Sequence, residues 1–138
     1  MKPCKTIRKK SLKKNATKKL LRKAMNLCEK EMKAAVHRRD KVCQLCKSSN
    51  VSFDVDHFIS RRNMATYFDI NNLTLLCKSC HVKKSFGYQD YEMRVMDVVC
   101  EREGKDVCEE LRTKSRQIKK WDIDTLTELA KTYSRLFL

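Results

Sequence analysis

Four of the eight cysteines form two closely spaced pairs, Cys43 with Cys46 and Cys77 with Cys80. Each pair is a Cys-x-x-Cys knuckle, in which two thiolates can turn toward one tetrahedral zinc ion at about 2.3 Å. Two such knuckles separated by 30 residues predict a closed, structural Cys4 zinc site. Disulfides are the alternative, but they are typical of secreted proteins, and we expect this chain to lie in a reducing compartment because it shows no secretory signal.

Residues suited to hydrolysis of a phosphodiester lie around these knuckles. Asp56 and His57 end a predicted strand, Asn72 precedes a second strand, and His81 directly follows the last cysteine. An imidazole, with an ordinary pKa of about 6.5, can take a proton from water near neutral pH. A bound Mg²⁺ or Mn²⁺ can supply positive charge at the scissile phosphate. The residue types therefore allow metal-assisted cleavage of nucleic acid.

The runs DVDHFISRR and NNLTLLCKSCHVKK resemble the HNH endonuclease family over residues 43–84. The family pattern is Asp-His, then Asn-Leu, then Cys-x-x-Cys-His-x-x-Lys on a ββα-metal unit. The resemblance implies that His57 is the general base and that Asp56 and His81 are ligands of a catalytic divalent metal. It also implies that Asn72 orients the intervening loop, although Asn71 competes for this role.

The loop after the Asp-His pair resembles a narrower group of proteins. Many HNH members carry a Gly pair here, whereas this chain has the elements His-x-x-Ser-Arg and Phe-Asp-x-x-Asn, starting at His57 and Phe68. Those elements are similar to the Rap (NinG) phage recombination endonucleases, a likeness that extends over residues 38–138. It implies a nuclease of branched recombination or replication DNA, which for a phage protein would act in the bacterial cytoplasm.

The positive charge is concentrated at the start of the chain. The formal net charge is +15, of which residues 1–39 contribute +13 and residues 40–138 only +2. Apolar residues recur at helical spacing from Leu12 to Val36, which predicts an amphipathic helix from about Ser11 to Arg38. We expect its basic face to bind nucleic-acid phosphates, although a solvated face or a membrane surface would also fit. The candidate phosphate-binding residues are Lys13, Lys14, Lys18 and Arg22 on this helix, with Arg61, Arg62 and Lys84 near the predicted active site.

The remaining elements must position these groups. Alternating apolar residues predict a strand over Val51 to Phe58, and the run Leu73 to Leu76 predicts a second. A short helix is expected from Lys78 to Phe86, with Ser79 as its N-cap and Gly87 as its stop. Strict alternation along the first strand would send Asp56 and His57 to opposite faces, so their joint action requires the strand to twist or end there.

The last third of the chain is helical by pattern. Apolar stripes predict one helix ending near Gly104, a second that extends to Ile118, and a third opened by Asp122 or Asp124. Cys28, Cys100 and Cys108 are expected to be small apolar side chains of the interior. Trp121 is expected to join two helices by packing.

These observations predict an α+β protein with three segments. They are a basic N-terminal helix (residues 1–39), a zinc-stapled ββα-metal core (40–87) and a C-terminal helical extension (88–138). The predicted function is a metal-dependent HNH endonuclease acting on DNA, with structural Zn²⁺ and catalytic Mg²⁺ or Mn²⁺, and with a homodimer as one possible assembly. The alternative is a non-catalytic zinc module that binds nucleic acid. No stretch is apolar enough to span a membrane.

Overall fold

The computed structural model describes the backbone of residues 5–138 and the side chains of residues 11–138. The fold is α+β, as predicted, because several helices surround one small antiparallel sheet. Residues 1–4 of the predicted basic segment lie outside the described residues. In chain order the elements are α1 (Lys5–Asp40), β1 (Phe53–His57), α2 (Met64–Tyr67), a 3₁₀ turn (Ile70–Asn72), β2 (Leu73–Cys77), α3 (Lys78–Ser85), α4 (Gln89–Glu103), α5 (Lys105–Ser115) and α6 (Ile123–Arg135).

Helix α1 is longer than predicted and packs along only part of its length. Its 36 residues correspond to about 54 Å. Residues 11–20 are all exposed, so the apolar residues Leu12 and Leu20 of the predicted stripe have 62% and 55% of their surface in solvent. Burial begins in the second half, where Cys28 and Met32 are fully enclosed. The first half of α1 therefore projects from the body of the protein.

The sheet is a single antiparallel pair, in which Phe53 lies opposite Cys77 and His57 opposite Leu73. Strand β2 is buried at every position because helices cover both of its faces. One hydrophobic cluster contains Leu73 and Leu75, and the other contains Leu76. This alternation follows from the two-residue period of a strand.

The first cluster joins α1 to α6. Cys28, Met32 and Val36 pack with Leu126 and Tyr133. Burial raises the pKa of the Cys28 thiol to about 11, in agreement with its predicted place in the interior. The Tyr133 hydroxyl donates a hydrogen bond to the Phe68 carbonyl, which attaches α6 to the loop between the strands.

The second cluster surrounds the cysteine knuckles and includes Val95 and Val99 of α4 and Leu111 of α5. Cys108 lies in this cluster and Cys100 packs against it, as expected of interior side chains, but they are not separate thiols, because the two are paired in a disulfide with Cα atoms 5.7 Å apart. The chain reverses between α4 and α5 at Gly104, whose φ of +91° is readily adopted only by glycine. This reversal brings the two sulfur atoms together.

Three further details correct or confirm the predicted boundaries. Helix α5 ends at Ser115, and Ile118 is 96% exposed, so Ile118 does not extend that helix as expected. Helix α3 is capped by Cys77 and not by Ser79, because the Cys77 sulfur accepts a hydrogen bond from the Cys80 amide. The Asp122 carboxylate accepts a hydrogen bond of 2.7 Å from the Thr125 amide, which confirms it as the cap of α6.

Two arginines hold the segment that precedes β2. Arg39 of α1 donates to the carbonyls of Ile70 at 3.1 Å and Leu73 at 2.6 Å. Arg102 of α4 donates to the Asn71 carbonyl at 3.0 Å, and burial lowers the pKa of this guanidinium. The loop between the strands is therefore held from two sides. Within residues 5–138, none of the helices has the length and apolar character needed to cross a lipid bilayer.

Candidate functional site

The four predicted zinc ligands converge in space. The sulfur atoms of Cys43, Cys46, Cys77 and Cys80 all lie within 4.8 Å of one another. Four sulfurs at this spacing match the ligand set and size of a structural zinc site. The cluster supports the predicted structural zinc on this part of the chain.

Local backbone geometry builds each knuckle. After Cys46 the chain turns through Lys47, whose φ is +60°, and the Lys47 amide donates to the Cys43 carbonyl at 2.9 Å. The second knuckle is the start of α3. Hydrogen bonding by Ser48 lowers the pKa of the Cys46 thiol to about 6, which favours the thiolate that zinc requires. Burial raises the pKa of the Cys80 thiol, so the thiolate of Cys80 would depend on the zinc ion itself.

The imidazole of His57 lies at the end of β1 and contacts α2. Its Nε2 is 3.2 Å from the carbonyl oxygen of Tyr67. Because a carbonyl can only accept, Nε2 carries the proton in the neutral ring and Nδ1 holds the lone pair. Nδ1 is buried and has no hydrogen-bond partner among the described residues. The ring therefore presents an unsatisfied basic nitrogen, which suits a general base.

Burial also controls the protonation of this ring. Desolvation, as the largest cause, lowers the pKa of His57 to about 4, and the hydrogen bond to the Tyr67 carbonyl opposes this shift. At neutral pH the imidazole is consequently uncharged and able to accept a proton. A phosphate anion near the ring would raise its pKa toward neutrality.

Asp56 precedes His57 and forms a close pair with α3. The Lys84 ammonium lies 2.8 and 2.7 Å from the two carboxylate oxygens of Asp56, and 2.9 Å from the carbonyl oxygen of His57. Burial raises the pKa of Asp56, and the charge of Lys84 opposes that rise. Lys84 was expected to contact phosphate, which would require these bonds to be exchanged.

His81 of α3 lies between two carboxylates of β1. Its Nδ1 is 3.0 Å from an oxygen of Asp54, and its Nε2 is 3.5 Å from an oxygen of Asp56. An imidazole nitrogen and a carboxylate oxygen thus converge from two elements, and these donors fit a divalent metal such as Mg²⁺ or Mn²⁺. Asp54 was not among the predicted site residues, although its i, i+2 spacing from Asp56 places both on one face of a strand.

A common cleft of about 760 Å³ is bordered by Asp56, His57, His81 and Lys84, and also by Arg61 and Arg62. The Asp56 side chain hydrogen-bonds to Lys84 of α3, and the His57 side chain hydrogen-bonds to Tyr67 of α2. The two side chains therefore leave β1 in different directions, as strand alternation requires. Both line the cleft because it lies where β1 ends. The end of the strand, and not a reversal of its alternation, brings the two together.

Asn72 clamps the loop that carries Arg61 and Arg62. Its side-chain oxygen accepts from the Ile59 amide at 2.6 Å, and its amide group donates to the carbonyls of Ile59 at 3.1 Å and Thr66 at 3.2 Å. The neighbouring Asn71 contributes its backbone groups to hydrogen bonds with Asp69 and Arg102. The geometry favours Asn72 over Asn71 as the loop-orienting residue.

The candidate phosphate-binding residues fall into two groups. Arg61 is exposed, 3.4 Å from the Tyr67 hydroxyl and 3.9 Å from Glu29 of α1. Lys18 and Arg22 border a separate groove that also includes Tyr67 and Glu29, the two residues that Arg61 approaches. Lys13 and Lys14 are exposed on the projecting half of α1.

Comparison with known proteins bears on the cysteine knuckles and the cleft. Neither the curated proteins nor the solved structures gave a match to this chain, and the closer likeness to Rap (NinG) proteins stays a prediction. Residues 43–87, which comprise both knuckles, the two strands and α3, match the family model described as HNH endonuclease.

Proposed function

We propose that this protein is a metal-dependent endonuclease that hydrolyses phosphodiester bonds of DNA in the cleft at the end of β1. The observation that carries the proposal is that His57, whose buried Nδ1 is an unsatisfied base, lines the same cleft as the donor groups of Asp56 and His81. The match of residues 43–87 to HNH endonucleases supports the same chemistry.

In this mechanism each residue of the cleft has a separate task. His57 Nδ1 accepts a proton from the water that attacks phosphorus in line with the leaving 3′ oxygen. The Tyr67 carbonyl fixes the tautomer and the orientation of the ring. Asp56 and His81 would hold the divalent metal, which would supply positive charge at the phosphate and the leaving oxygen. The 3′ oxygen leaves with the electron pair of the broken P–O bond and takes a proton from solvent water, so the products are a 5′-phosphate and a 3′-hydroxyl.

Asn72 and the arginines support this chemistry without taking part in proton transfer. The three hydrogen bonds of Asn72 fix the loop from Ile59 to Thr66, which carries Arg61 and Arg62. Their guanidinium groups are suited to bind phosphate oxygens. The exposed lysines of α1 extend the positive surface along the helix.

We further propose branched recombination or replication DNA as the substrate, on the strength of the likeness to Rap (NinG) proteins. Two active sites would be needed to cut both strands of a symmetrical junction, so a homodimer is part of this proposal. Phage origin and action in the host cytoplasm belong to the same proposal.

A second candidate function is a non-catalytic zinc module that binds nucleic acid. Lys84 favours it, because its ammonium neutralises the Asp56 carboxylate from within the chain. In that case the basic helix and the cleft would bind DNA without cutting it. Binding alone cannot separate the two functions, since both predict salt-sensitive affinity.

Cleavage assays separate them. The protein is incubated with linear, nicked, flapped and four-way DNA in the presence of Mg²⁺, Mn²⁺ or EDTA. We expect metal-dependent cutting that falls by on the order of 100-fold or more in His57→Ala, with zinc content and DNA affinity unchanged. Absence of cutting by the unmodified protein under every metal would favour the non-catalytic module. Undiminished cutting by His57→Ala would show that His57 is not the general base.

A further inference from the structure

An exposed aromatic patch lies beside the cleft, on the turn that joins α3 to α4. Phe86 and Tyr88 expose 79% and 59% of their surface, and the neighbouring Val82 is also exposed. Together with Lys83 and Gly87 they line a shallow groove of about 550 Å³. We call these residues the aromatic patch. Nothing in the proposed chemistry of the cleft requires it.

The backbone of the turn at Gly87 fixes where the rings of Phe86 and Tyr88 lie. Gly87 has a φ of +75°, which a residue with a side chain adopts only with strain. The Tyr88 amide donates to the Lys83 carbonyl at 3.2 Å, which closes the turn. The Tyr88 ring meets Tyr91 edge-on at 6.4 Å. The patch is therefore held by the turn and is not a loose end of the chain.

Positive charge borders the patch. The Lys83 ammonium lies 5.4 Å from the centre of the Tyr91 ring, and the Arg94 guanidinium lies 5.1 Å from it. Lys78 is exposed on the same helix as Lys83, and Asp90 is an exposed acidic residue beside the turn. Cations next to exposed rings suit a ligand that combines flat apolar faces with negative charge.

The patch and the cleft lie on different sides of one helix. His81, Lys84 and Ser85 of α3 line the cleft, whereas Val82, Lys83 and the following Phe86 line the patch. A helix with its side chains is about 10 Å across. A single DNA strand that leaves the cleft can therefore reach the patch by crossing α3.

We propose that the aromatic patch binds unpaired nucleobases of a DNA strand that passes through the cleft, an inference that rests on the proposed nuclease function. Phe86 and Tyr88 stack on the bases, while Lys83 and Arg94 bind the adjoining phosphates. Paired bases are already stacked within a duplex and do not present their faces. The patch thus selects DNA with single-stranded segments, such as flaps and open junctions.

Equilibrium binding in the absence of Mg²⁺ and Mn²⁺ tests this inference, with a single-stranded oligonucleotide compared with a duplex of the same sequence. Phe86→Ala and Tyr88→Ala are each expected to weaken single-strand binding by about fivefold or more, the effect of losing one stacked base. Duplex binding should not change. Phe86→Leu, which keeps an apolar side chain but removes the aromatic face, should lose as much affinity as Phe86→Ala.

Ile118→Ala is the matched control, because Ile118 is exposed but lies on the linker between α5 and α6. Full single-strand affinity in Phe86→Leu would overturn the inference, since the contact would then be merely apolar. Equal losses on duplex and single strand would overturn it too. So would dissociation of a protein dimer by Phe86→Ala, measured by sedimentation, because the patch would then be a contact between copies.

The result of this binding experiment can be told apart from the result of the cleavage assay. Because binding is measured without added catalytic metal, a protein that never cuts DNA can still show the loss of single-strand affinity in Phe86→Ala. Conversely, if the unmodified protein cuts DNA and the patch variants bind single strands at full strength, only the present inference fails.

Discussion

The Lys84 ammonium lies within 2.8 Å of both carboxylate oxygens of Asp56, at the position where the nuclease proposal requires a divalent cation. Asp56 is 4% exposed, so its charge needs a partner. Lys84 supplies that partner within the chain. A divalent metal and the Lys84 ammonium would therefore compensate the same carboxylate charge. Whether one cation can replace the other can be measured.

Replacing Lys84 with Met should destabilise the protein by up to about 3 kcal/mol, because a buried carboxylate loses its counter-charge. If Asp56 is a metal ligand, Mn²⁺ should restore stability by replacing that charge, and it should raise the melting temperature of Lys84→Met more than that of the unmodified protein. Thermal unfolding with and without Mn²⁺ measures both effects.

Lys114→Met is the matched control. Lys114 pairs with Asp69 at 2.9 Å, but this lysine is about half exposed, so its loss should cost at most about 1 kcal/mol. Mn²⁺ should not restore that loss. Equal responses of the two variants to Mn²⁺ would show that Asp56 is not the metal ligand.

The zinc prediction concerns Cys46 and Cys77. Replacing either by Ser should abolish binding of one zinc per chain and unfold the region around both knuckles, because structural zinc supplies folding free energy directly. Elemental analysis and thermal unfolding measure these effects. Cys28→Ala, which changes a buried cysteine of the other cluster, should retain one zinc. A Cys46→Ser protein with an unchanged melting curve would contradict the assignment.

The pKa of His57 predicts a pH dependence of stability. Its value of about 4 in the folded protein lies below the ordinary 6.5, so the unfolded chain takes up the proton first as the pH falls. The contribution of the neutral ring is complete above pH 6.5 and is lost between about 6.5 and 4. Its full size is on the order of 3 kcal/mol.

Comparison with His57→Asn isolates this effect, because acid also protonates the cysteine ligands in both proteins. The difference in free energy of unfolding between the two should be constant above pH 6.5 and should shift against the unmodified protein below it. A difference that does not vary between pH 7 and 4 would mean that the imidazole is not desolvated. Chemical denaturation at a series of pH values provides the measurement.

Asn72 and Asn71 should respond differently to truncation. Asn72→Ala removes three hydrogen bonds and leaves the half-buried Ile59 amide and carbonyl without these partners, at a cost of about 1 to 3 kcal/mol for each unsatisfied group. The Thr66 carbonyl still accepts from the Asp69 amide. We expect lower stability and, in a nuclease, weaker cleavage. Asn71→Ala should have little effect, because the hydrogen bonds found for Asn71 use its backbone. The opposite ranking in unfolding experiments would assign the loop to Asn71.

The basic helix should control the salt dependence of DNA binding. Replacing Lys13, Lys14, Lys18 and Arg22 by Gln should reduce the slope of log affinity against log salt by up to about 0.9 for each charge that binds a phosphate. All four side chains are exposed, so folding should be retained. Deletion of residues 1–39 is unsuitable because it removes Cys28, Met32 and Val36 from the interior.

Lys131→Gln provides the comparison for that series, since Lys131 is a lysine of α6 that already pairs with Glu128. Its replacement should leave the salt slope unchanged. An unchanged slope in the fourfold variant would assign phosphate binding to another surface.

Patterns of neighbouring residues were enough to predict the local features of the molecule. The Cys-x-x-Cys spacing predicted the cysteine cluster, and apolar periodicity predicted both strands and the cores of the helices, because such patterns depend on neighbours within a few residues. The residues of the run from Asp56 to Lys84 were sufficient to indicate HNH chemistry.

How these parts meet depends on the folding of the whole chain. The exposure of Leu12 and Leu20 depends on where α6 packs along α1. The spacing of apolar residues within α1 does not encode that position. The Cys100–Cys108 disulfide depends on the reversal at Gly104. The place of Asp54 beside His81, and of Lys84 on Asp56, depends on the packing of α3 against β1, because residues 27 or 28 positions apart become neighbours only when the chain has folded.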